Sequence, residues 1–174
     1  MTDFWVFGYG SLMWRPGFPY TERRVARLFG AHRALCVYSS VHRGTAERPG
    51  LVLGLDRGGN CRGIAFRVAA EARDEVVAYL RAREQVTAVY LERERPIRFA
   101  DGAEAHALAY LVDPAHRQYA GKLDEETQFR LVAEAHGQSG ANRDYVISTA
   151  AHLAELGIPD TLLSRLAARL KSQA

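Results

Sequence analysis

The sequence has few of the features that mark secreted or membrane proteins. It contains only two cysteines, Cys36 and Cys61, which stand far apart and outside any CxxC pattern. A disulfide scaffold is therefore excluded, and a reducing cytoplasm is the expected compartment. No apolar run approaches the roughly 20 residues needed to cross a bilayer, and residues 1–4 lack the basic and apolar regions of a secretory signal. We expect a cytoplasmic protein with no membrane partner.

Lysine is nearly absent. Only Lys122 and Lys171 occur, so 21 of the 23 basic residues are arginine (23 − 2), and the formal net charge is +3. The arginines are spread along the chain, and no zinc-finger spacing, RNP-like aromatic motif or basic amphipathic helix accompanies them. We expect a solvated, arginine-rich surface and no nucleic-acid partner. Such a surface can still attract a small anionic substrate.

Several motifs that hold cofactors, metals or nucleophiles are missing as well. Residues 8–13 contain Gly-x-Gly without the third glycine of a dinucleotide fingerprint, and no Gly-Lys-Ser/Thr phosphate loop occurs. Residues 137–140 do not match the Gly-x-Ser-x-Gly elbow of hydrolases. The six histidines include no His-Glu-x-x-His pattern. The sequence therefore predicts no cofactor and no metal.

What is present favours one folded domain over residues 1–174. The chain is 48% hydrophobic, has no linker or repeat, and is long enough to bury about 70% of the surface of its unfolded form. Strand patterns occupy residues 4–7, 25–29, 34–38, 51–55, 63–68, 88–92 and 106–112, with a turn at 56–60 and one helix at 71–83. Three helices follow, one with acidic residues at 124–126 and two capped by Asn142 and Asp160. This order predicts an α+β fold whose sheet is curled or closed into a barrel.

The first candidate site is the Gly-Tyr-Gly-Ser-Leu segment at residues 8–12, directly after a strand. Two glycines around an aromatic residue allow a sharp turn that presents backbone N–H groups outward. Such a turn binds a carboxylate or a developing oxyanion. An ordinary tight turn explains the same residues, so the segment alone leaves both interpretations open.

The second candidate is Glu84, at the end of the predicted helix. Val77, Leu80 and Glu84 are spaced i, i+3 and i+7, so the carboxyl group continues the buried stripe. Burial and the helix C-terminus both raise a carboxyl pKa towards the range useful for acid–base catalysis, whereas Arg81 and Arg83 oppose this. A surface glutamate at a fraying helix end is the alternative interpretation.

The third candidate lies on the helix that begins at Asn142, where Tyr145, Thr149 and His152 form a polar and aromatic stripe. Either these polar groups find backbone partners in a core helix, or Tyr145 lines a pocket.

Together these features belong to an ordered set of motifs along almost the whole chain. The set comprises residues 6–14, 42–45, 50–55, 58–67, 79–80, 83–84 and 140–142, followed by Tyr145, Thr149, residues 152–153 and residues 156–158. In this order the motifs resemble the ChaC family of glutathione-specific γ-glutamylcyclotransferases. The resemblance implies a small mixed β-barrel with flanking helices, the γ-glutamylcyclotransferase-like fold.

The resemblance also implies a lyase-type, cofactor-independent enzyme that converts glutathione to 5-oxoproline and Cys-Gly. By the family pattern, Tyr9, Gly10, Ser11 and Leu12 hold the γ-glutamyl group, and Glu84 is the general acid–base. The free α-amine of the substrate attacks its own γ-carbonyl, so the protein needs no nucleophile of its own.

Three further residues are expected to bind substrate. Tyr90 matches a family tyrosine, although Ala88 and Val89 stand where a Gly-Gly pair usually precedes it. Tyr145 is the pocket candidate of the third feature, and Arg43 is the candidate for the terminal carboxylate of glutathione.

Two other functions are weighed against this one. The first keeps the chemistry but acts on other γ-glutamyl amino acids or amines, and Leu12, in place of a polar residue, counts against it. The second is a non-catalytic ligand-binding or regulatory module, and Glu84 beside an intact loop counts against that. The sequence gives no indication of the oligomeric state.

Overall fold

The long strands lie in the first two thirds of the chain, with one helix among them, and the other helices lie in the last third in the computed structural model, which describes residues 2–85 and 87–173. The strands are β1 (Phe4–Gly8), β2 (Glu22–Ser39), β3 (Gly50–Val68), β4 (Tyr90–Phe99), β5 (Glu104–Val112), β6 (His136–Gly137) and β7 (Gly140–Ala141). The helices are α1 (Arg73–Glu84), α2 (Glu125–Glu134), α3 (Asn142–Glu155) and α4 (Thr161–Ser172), with short 3-10 turns at Ser11–Met13 and Ala70–Ala72.

The first five strands close a barrel in the order β1-β3-β2-β4-β5. β1 pairs parallel with β5, whereas β1 with β3, β2 with β4 and β4 with β5 are antiparallel. The barrel is therefore mixed, and closure leaves it without a free edge for pairing with another chain. The predicted α+β fold with a small mixed barrel and flanking helices is confirmed.

The chain divides into two compact units, the first made of residues up to 34 with 54–116, and the second of 35–53 with 117 onwards. Fully buried side chains of the first unit include Val6, Phe7, Leu28, Ile64, Phe66, Leu80, Ile97 and Tyr110. Those of the second unit include Leu51, Val132, Val146, Leu153 and Leu166. No helix among the described residues is long and apolar enough to span a membrane.

Two of the strands extend well beyond the segments that the sequence predicts, because each contains two predicted strands. The predicted strands at 25–29 and 34–38 are parts of β2, and the predicted turn at 56–60 is wrong because β3 continues through it. Gly58 and Gly59 have φ values of +92° and +71° within β3. Glycine adopts these positive values without strain, so the strand bends there instead of ending.

The helix ends follow their predicted signals with one exception. Asp124 and Asp160 cap α2 and α4 by accepting hydrogen bonds from the N–H groups of Thr127 and Leu163. Asn142 is not a cap: it is the first residue of α3, and its side chain is fully buried. The amide instead accepts from the Leu51 N–H (2.8 Å) and donates to the Leu51 carbonyl (2.9 Å), which ties α3 to the start of β3.

Candidate functional site

The loop after β1 is folded tightly onto itself. The Met13 N–H donates to the Gly10 carbonyl at 2.9 Å, and the Arg15 N–H donates to the Ser11 carbonyl at 2.8 Å. A Cβ atom at Gly8 would lie 3.0 Å from the Leu12 Cβ, so this close turn favours glycine there. The first N–H groups of a helical turn have no partner within the turn, which leaves them available to a ligand.

The side chains of the loop divide into anchors and an exposed group. Tyr9 and Leu12 are 8% and 5% exposed and belong to the core, whereas Ser11 is exposed. The Tyr9 carbonyl accepts a hydrogen bond from Arg33 Nε at 2.7 Å, and the same guanidinium donates to the Arg62 carbonyl at 2.7 Å. Buried side chains and Arg33 therefore fix the loop, and the Ser11 side chain lies at its exposed surface.

Glu84 is the last residue of α1, and its side chain is only 16% exposed. Burial raises the pKa of this carboxyl above its usual value, and the charge of Arg83, with Nε 3.6 Å from Glu84 Oε1, partly opposes the shift. Of the two interpretations of Glu84, this half-buried position and the direction of the pKa shift favour the one in which the carboxyl group continues the buried stripe. A carboxyl group in this state can exchange a proton near neutral pH more readily than an exposed glutamate.

Arg83 connects this carboxyl to the loop. Its Nη2 donates to Ser11 Oγ at 2.9 Å, and its Nη1 donates to the Arg15 carbonyl at 2.6 Å. Since Arg83 contacts both Ser11 and Glu84, these two predicted site residues lie on either side of one guanidinium group.

The pKa of a second carboxyl group, Glu92 on β4, is shifted in the opposite direction from that of Glu84. Arg81 donates to both of its oxygens, at 3.0 and 2.9 Å, and the Tyr110 hydroxyl donates to Oε2 at 2.9 Å. These bonds lower the pKa of Glu92. Burial and the Glu92 carboxylate raise the pKa of Tyr110, and the charge of Glu84 adds to that shift. The charged form of Glu92 is therefore favoured, so Glu92 is less suited than Glu84 to exchange a proton.

Tyr90 is the first residue of β4 and lies opposite Val112 on β5. Its carbonyl accepts a hydrogen bond from Gln85 Nε2 at 3.2 Å, which links it to the end of α1. Ala88, in the segment before it, has φ of +60°, a conformation that costs an alanine about 1–2 kcal/mol. A glycine would adopt that conformation freely.

Arg43 and Tyr145 both belong to the second unit, where they contact each other. The Arg43 guanidinium lies 5.6 Å from the centre of the Tyr145 ring and donates to the Ala141 carbonyl at 3.2 Å. The Tyr145 hydroxyl accepts a hydrogen bond from the Leu53 N–H at 3.0 Å. Its oxygen thus has a backbone partner, as the core-helix interpretation of α3 requires, and its role with substrate stays a prediction.

Three contacts of the site were not identified from the sequence: those of Arg33 and Arg83 with the loop, and that of Tyr110 with Glu92. Arg83 and Ser11 are 72 residues apart, and Arg33 and Tyr9 are 24 apart. No local spacing carries such contacts. The sequence does show that nearly all of its basic residues are arginine. Because one guanidinium group can donate to several carbonyl groups at once, such a composition is compatible with arginines that link distant segments.

Comparison with known proteins identifies the family of the chain. The family model described as ChaC-like protein matches residues 4–173. The glutathione-specific gamma-glutamylcyclotransferase of Escherichia coli (strain K12) is 36% identical over 167 residues, which cover 96% of this chain and 72% of that protein. The human glutathione-specific gamma-glutamylcyclotransferase 1 is 35% identical over 150 residues, covering 84% and 68%.

A solved structure shows the same fold. The crystal structure of a yeast gamma-glutamyl cyclotransferase specific to glutathione superposes with a TM-score of 0.86 at 22% identity, covering 99% of this chain and 97% of that one. The motifs at residues 6–14 and 83–84 thus lie in a chain that matches one family over nearly its full length. The chain belongs to the ChaC-like protein family.

Proposed function

We propose that residues 1–174 form a single γ-glutamylcyclotransferase domain that cleaves glutathione to 5-oxoproline and Cys-Gly. The observation that carries this proposal is the buried Glu84 carboxyl, with its raised pKa, joined through Arg83 to the loop at residues 8–12. The names of the bacterial and human relatives support glutathione as the substrate. We place the protein in the cytoplasm and assign it no nucleic-acid or membrane partner.

The proposed reaction uses a nucleophile that the substrate provides. The α-amine of the γ-glutamyl residue attacks the γ-carbonyl carbon of the same residue, a C–N bond forms, and the amide bond to cysteine breaks. The products are the five-membered lactam 5-oxoproline and the free amine of Cys-Gly. Holding the substrate in the attacking conformation can contribute on the order of 7–11 kcal/mol to such an intramolecular step.

The remaining tasks are two proton transfers and the stabilisation of an oxyanion. We assign both proton transfers to Glu84, which first takes a proton from the ammonium group and then gives it to the departing amine. The backbone N–H groups of Gly10, Ser11 and Leu12 are the donors for the oxyanion, since such donors act best when they are held rigidly in advance. The buried side chain of Tyr9 fixes the loop in that arrangement.

Three further residues are proposed to bind parts of the glutathione molecule. Tyr90 is proposed to close over the γ-glutamyl group from the start of β4. Arg43 is proposed to bind the terminal carboxylate, with Tyr145 beside its guanidinium group. A guanidinium group suits this task because it pairs with a carboxylate through two parallel hydrogen bonds.

Selectivity for glutathione separates this proposal from a cyclotransferase for other γ-glutamyl compounds. We expect kcat/KM for glutathione to exceed that for γ-glutamyl-alanine by roughly tenfold or more, since a lost charged hydrogen bond costs about 1.5–3 kcal/mol. The dipeptide lacks the thiol and the distant carboxylate, and remote contacts of this kind orient the reacting centre. The comparison uses wild type, Arg43→Ala and the control Arg48→Ala, an exposed arginine of the same loop.

If γ-glutamyl-alanine is the equal or better substrate, the enzyme acts on other γ-glutamyl compounds and the glutathione assignment is wrong. If glutathione is preferred but Arg43→Ala matches Arg48→Ala, only the assignment of Arg43 is wrong. Turnover of neither substrate would favour a non-catalytic ligand-binding module.

Activity is also expected to be unchanged by chelators and by thiol-alkylating reagents. The proposed chemistry uses no metal, and no group of three or more His, Cys, Asp or Glu residues in the described part of the chain could hold one. Cys36 and Cys61 are 1% and 3% exposed, so reagents do not reach them in the folded protein. The measurement is the rate of glutathione cleavage after EDTA or iodoacetamide treatment of the enzyme. Loss of activity in EDTA that zinc or manganese restores would contradict the proposed mechanism.

A further inference from the structure

The Arg83 guanidinium group donates hydrogen bonds to several groups outside the backbone of its own helix. Besides Ser11 Oγ, it donates to the carbonyls of Arg15 (2.6 Å) and Pro16 (3.1 Å) and to the Tyr79 hydroxyl (3.1 Å). The side chain is only 20% exposed. Hydrogen bonds from a charged donor are stronger than neutral ones, so these contacts hold the chain after β1 against the last turn of α1.

We propose that Arg83 is a positioning residue for catalysis, which orients the Ser11 hydroxyl as a hydrogen-bond donor to a carboxylate or carbonyl oxygen of the substrate. This inference rests on the proposed function, because it assigns a role within the same site.

The direction of the Ser11 hydrogen bond follows from the chemistry of arginine. A guanidinium group donates hydrogen bonds and cannot accept them. Ser11 Oγ therefore accepts from Arg83, and its own proton points to another acceptor. Because Ser11 is exposed, that acceptor can be an oxygen atom of a bound substrate.

The backbone near Arg83 leaves little room for adjustment. Gly17 has φ of +74°, and a Cβ atom there would clash with the Tyr79 hydroxyl, so the segment at residues 15–17 lies directly on α1. Tyr79 and Arg83 are four residues apart and therefore share one face of the helix. Lysine carries the same charge but lacks the planar set of five donors, so it cannot replace these contacts.

Arg83 also acts on the proton affinity of Glu84. Its charge lowers the pKa that burial raises. Glu84 also interacts electrostatically with Tyr110 on β5, whose hydroxyl donates to Glu92. The raised pKa of Tyr110 keeps its hydroxyl neutral. Removing the positive charge of Arg83 therefore raises the pKa of Glu84 further. The charge effect and the hydrogen-bond effect can be separated, because lysine keeps the first and loses the second.

The test compares Arg83→Gln, Arg83→Lys and Ser11→Ala, singly and combined, with Arg73→Gln as the control at the opposite end of α1. We expect Arg83→Gln and Ser11→Ala each to lower kcat/KM for glutathione roughly 10- to 100-fold, as for loss of a charge-assisted hydrogen bond. The double variant should be little worse than either single one, since both changes remove the same interaction. Arg83→Gln should also move the acidic limb of the pH–rate profile upwards, whereas Arg83→Lys should keep the limb and still lose activity.

Each outcome is decisive. Partial recovery of an Arg83→Ala variant by added guanidinium ion, with no recovery of Ser11→Ala, supports the positioning role even if that variant is less stable. Multiplicative effects of the two single changes overturn it while leaving the proposed function intact. A wild-type protein that does not cleave glutathione overturns both.

Discussion

Glu84→Gln is expected to lower kcat/KM for glutathione by a factor on the order of 10²–10⁴, the usual contribution of a positioned acid–base group. Glutamine keeps the size and the hydrogen-bonding shape of glutamate but cannot exchange a proton. The buried position of Glu84 and its raised pKa single it out among the carboxyl groups near the loop. The measurement is steady-state kinetics of product release on the purified variant.

The matched control is Glu94→Gln, an exposed glutamate two residues beyond Glu92, which is expected to keep wild-type activity. A folded Glu84→Gln protein with wild-type turnover would show that Glu84 is the wrong residue. Glu92 would then be the next candidate, although its hydrogen bonds with Arg81 and Tyr110 favour its charged form.

The stability of Glu84→Gln, measured as a function of pH, shows whether the variant is folded. Because burial raises the pKa of Glu84 in the folded protein, the folded state binds its proton more tightly than the unfolded chain. The contribution of this group to stability is therefore full below the unfolded pKa and is lost as pH rises through the raised one. At neutral pH the Gln variant should be at least as stable as wild type, so a loss of activity there is not a loss of fold.

The largest effect on stability is expected for Asn142→Ala. The substitution leaves the Leu51 N–H and carbonyl without their side-chain partners at a site with no solvent exposure. Each unsatisfied buried group costs about 1–3 kcal/mol, so loss of the two partners should lower the free energy of unfolding by roughly 2–6 kcal/mol. Chemical denaturation at constant m-value measures this change.

The control for Asn142→Ala is Asn60→Ala, where an exposed amide pairs with Arg27. Surface changes of this kind usually stay within about 0.5 kcal/mol. Equal effects of the two substitutions would mean that the buried amide of Asn142 does not stabilise the start of β3.

The sequence predicts the parts of this fold that depend on local signals. Asp124 and Asp160 start helices because a short acidic side chain satisfies free N–H groups. Gly157 ends α3 with φ of +73°, which only glycine adopts readily. The burial of Glu84 follows from its spacing behind Leu80 on one helix face.

Features that depend on distant contacts could not be predicted in this way. The glycines at 58 and 59 indicate a turn, but pairing within the barrel makes them a bend inside β3. Asn142 has the residue type of a cap, yet its partner lies 91 residues away at Leu51. The contacts of Arg83 belong to the same class, since nothing near it in the sequence indicates Ser11.

The most direct test of the central claim is the fate of glutathione labelled with ¹³C in its glutamyl residue, followed by NMR in the presence of the purified protein. We expect the label to appear as 5-oxoproline, with an equal amount of unlabelled Cys-Gly and no free glutamate, because the α-amine of the substrate displaces the peptide. Labelled glutamate would show attack by water in place of cyclisation, and unchanged glutathione would show that the chain does not catalyse this reaction. Either result would contradict the proposed function.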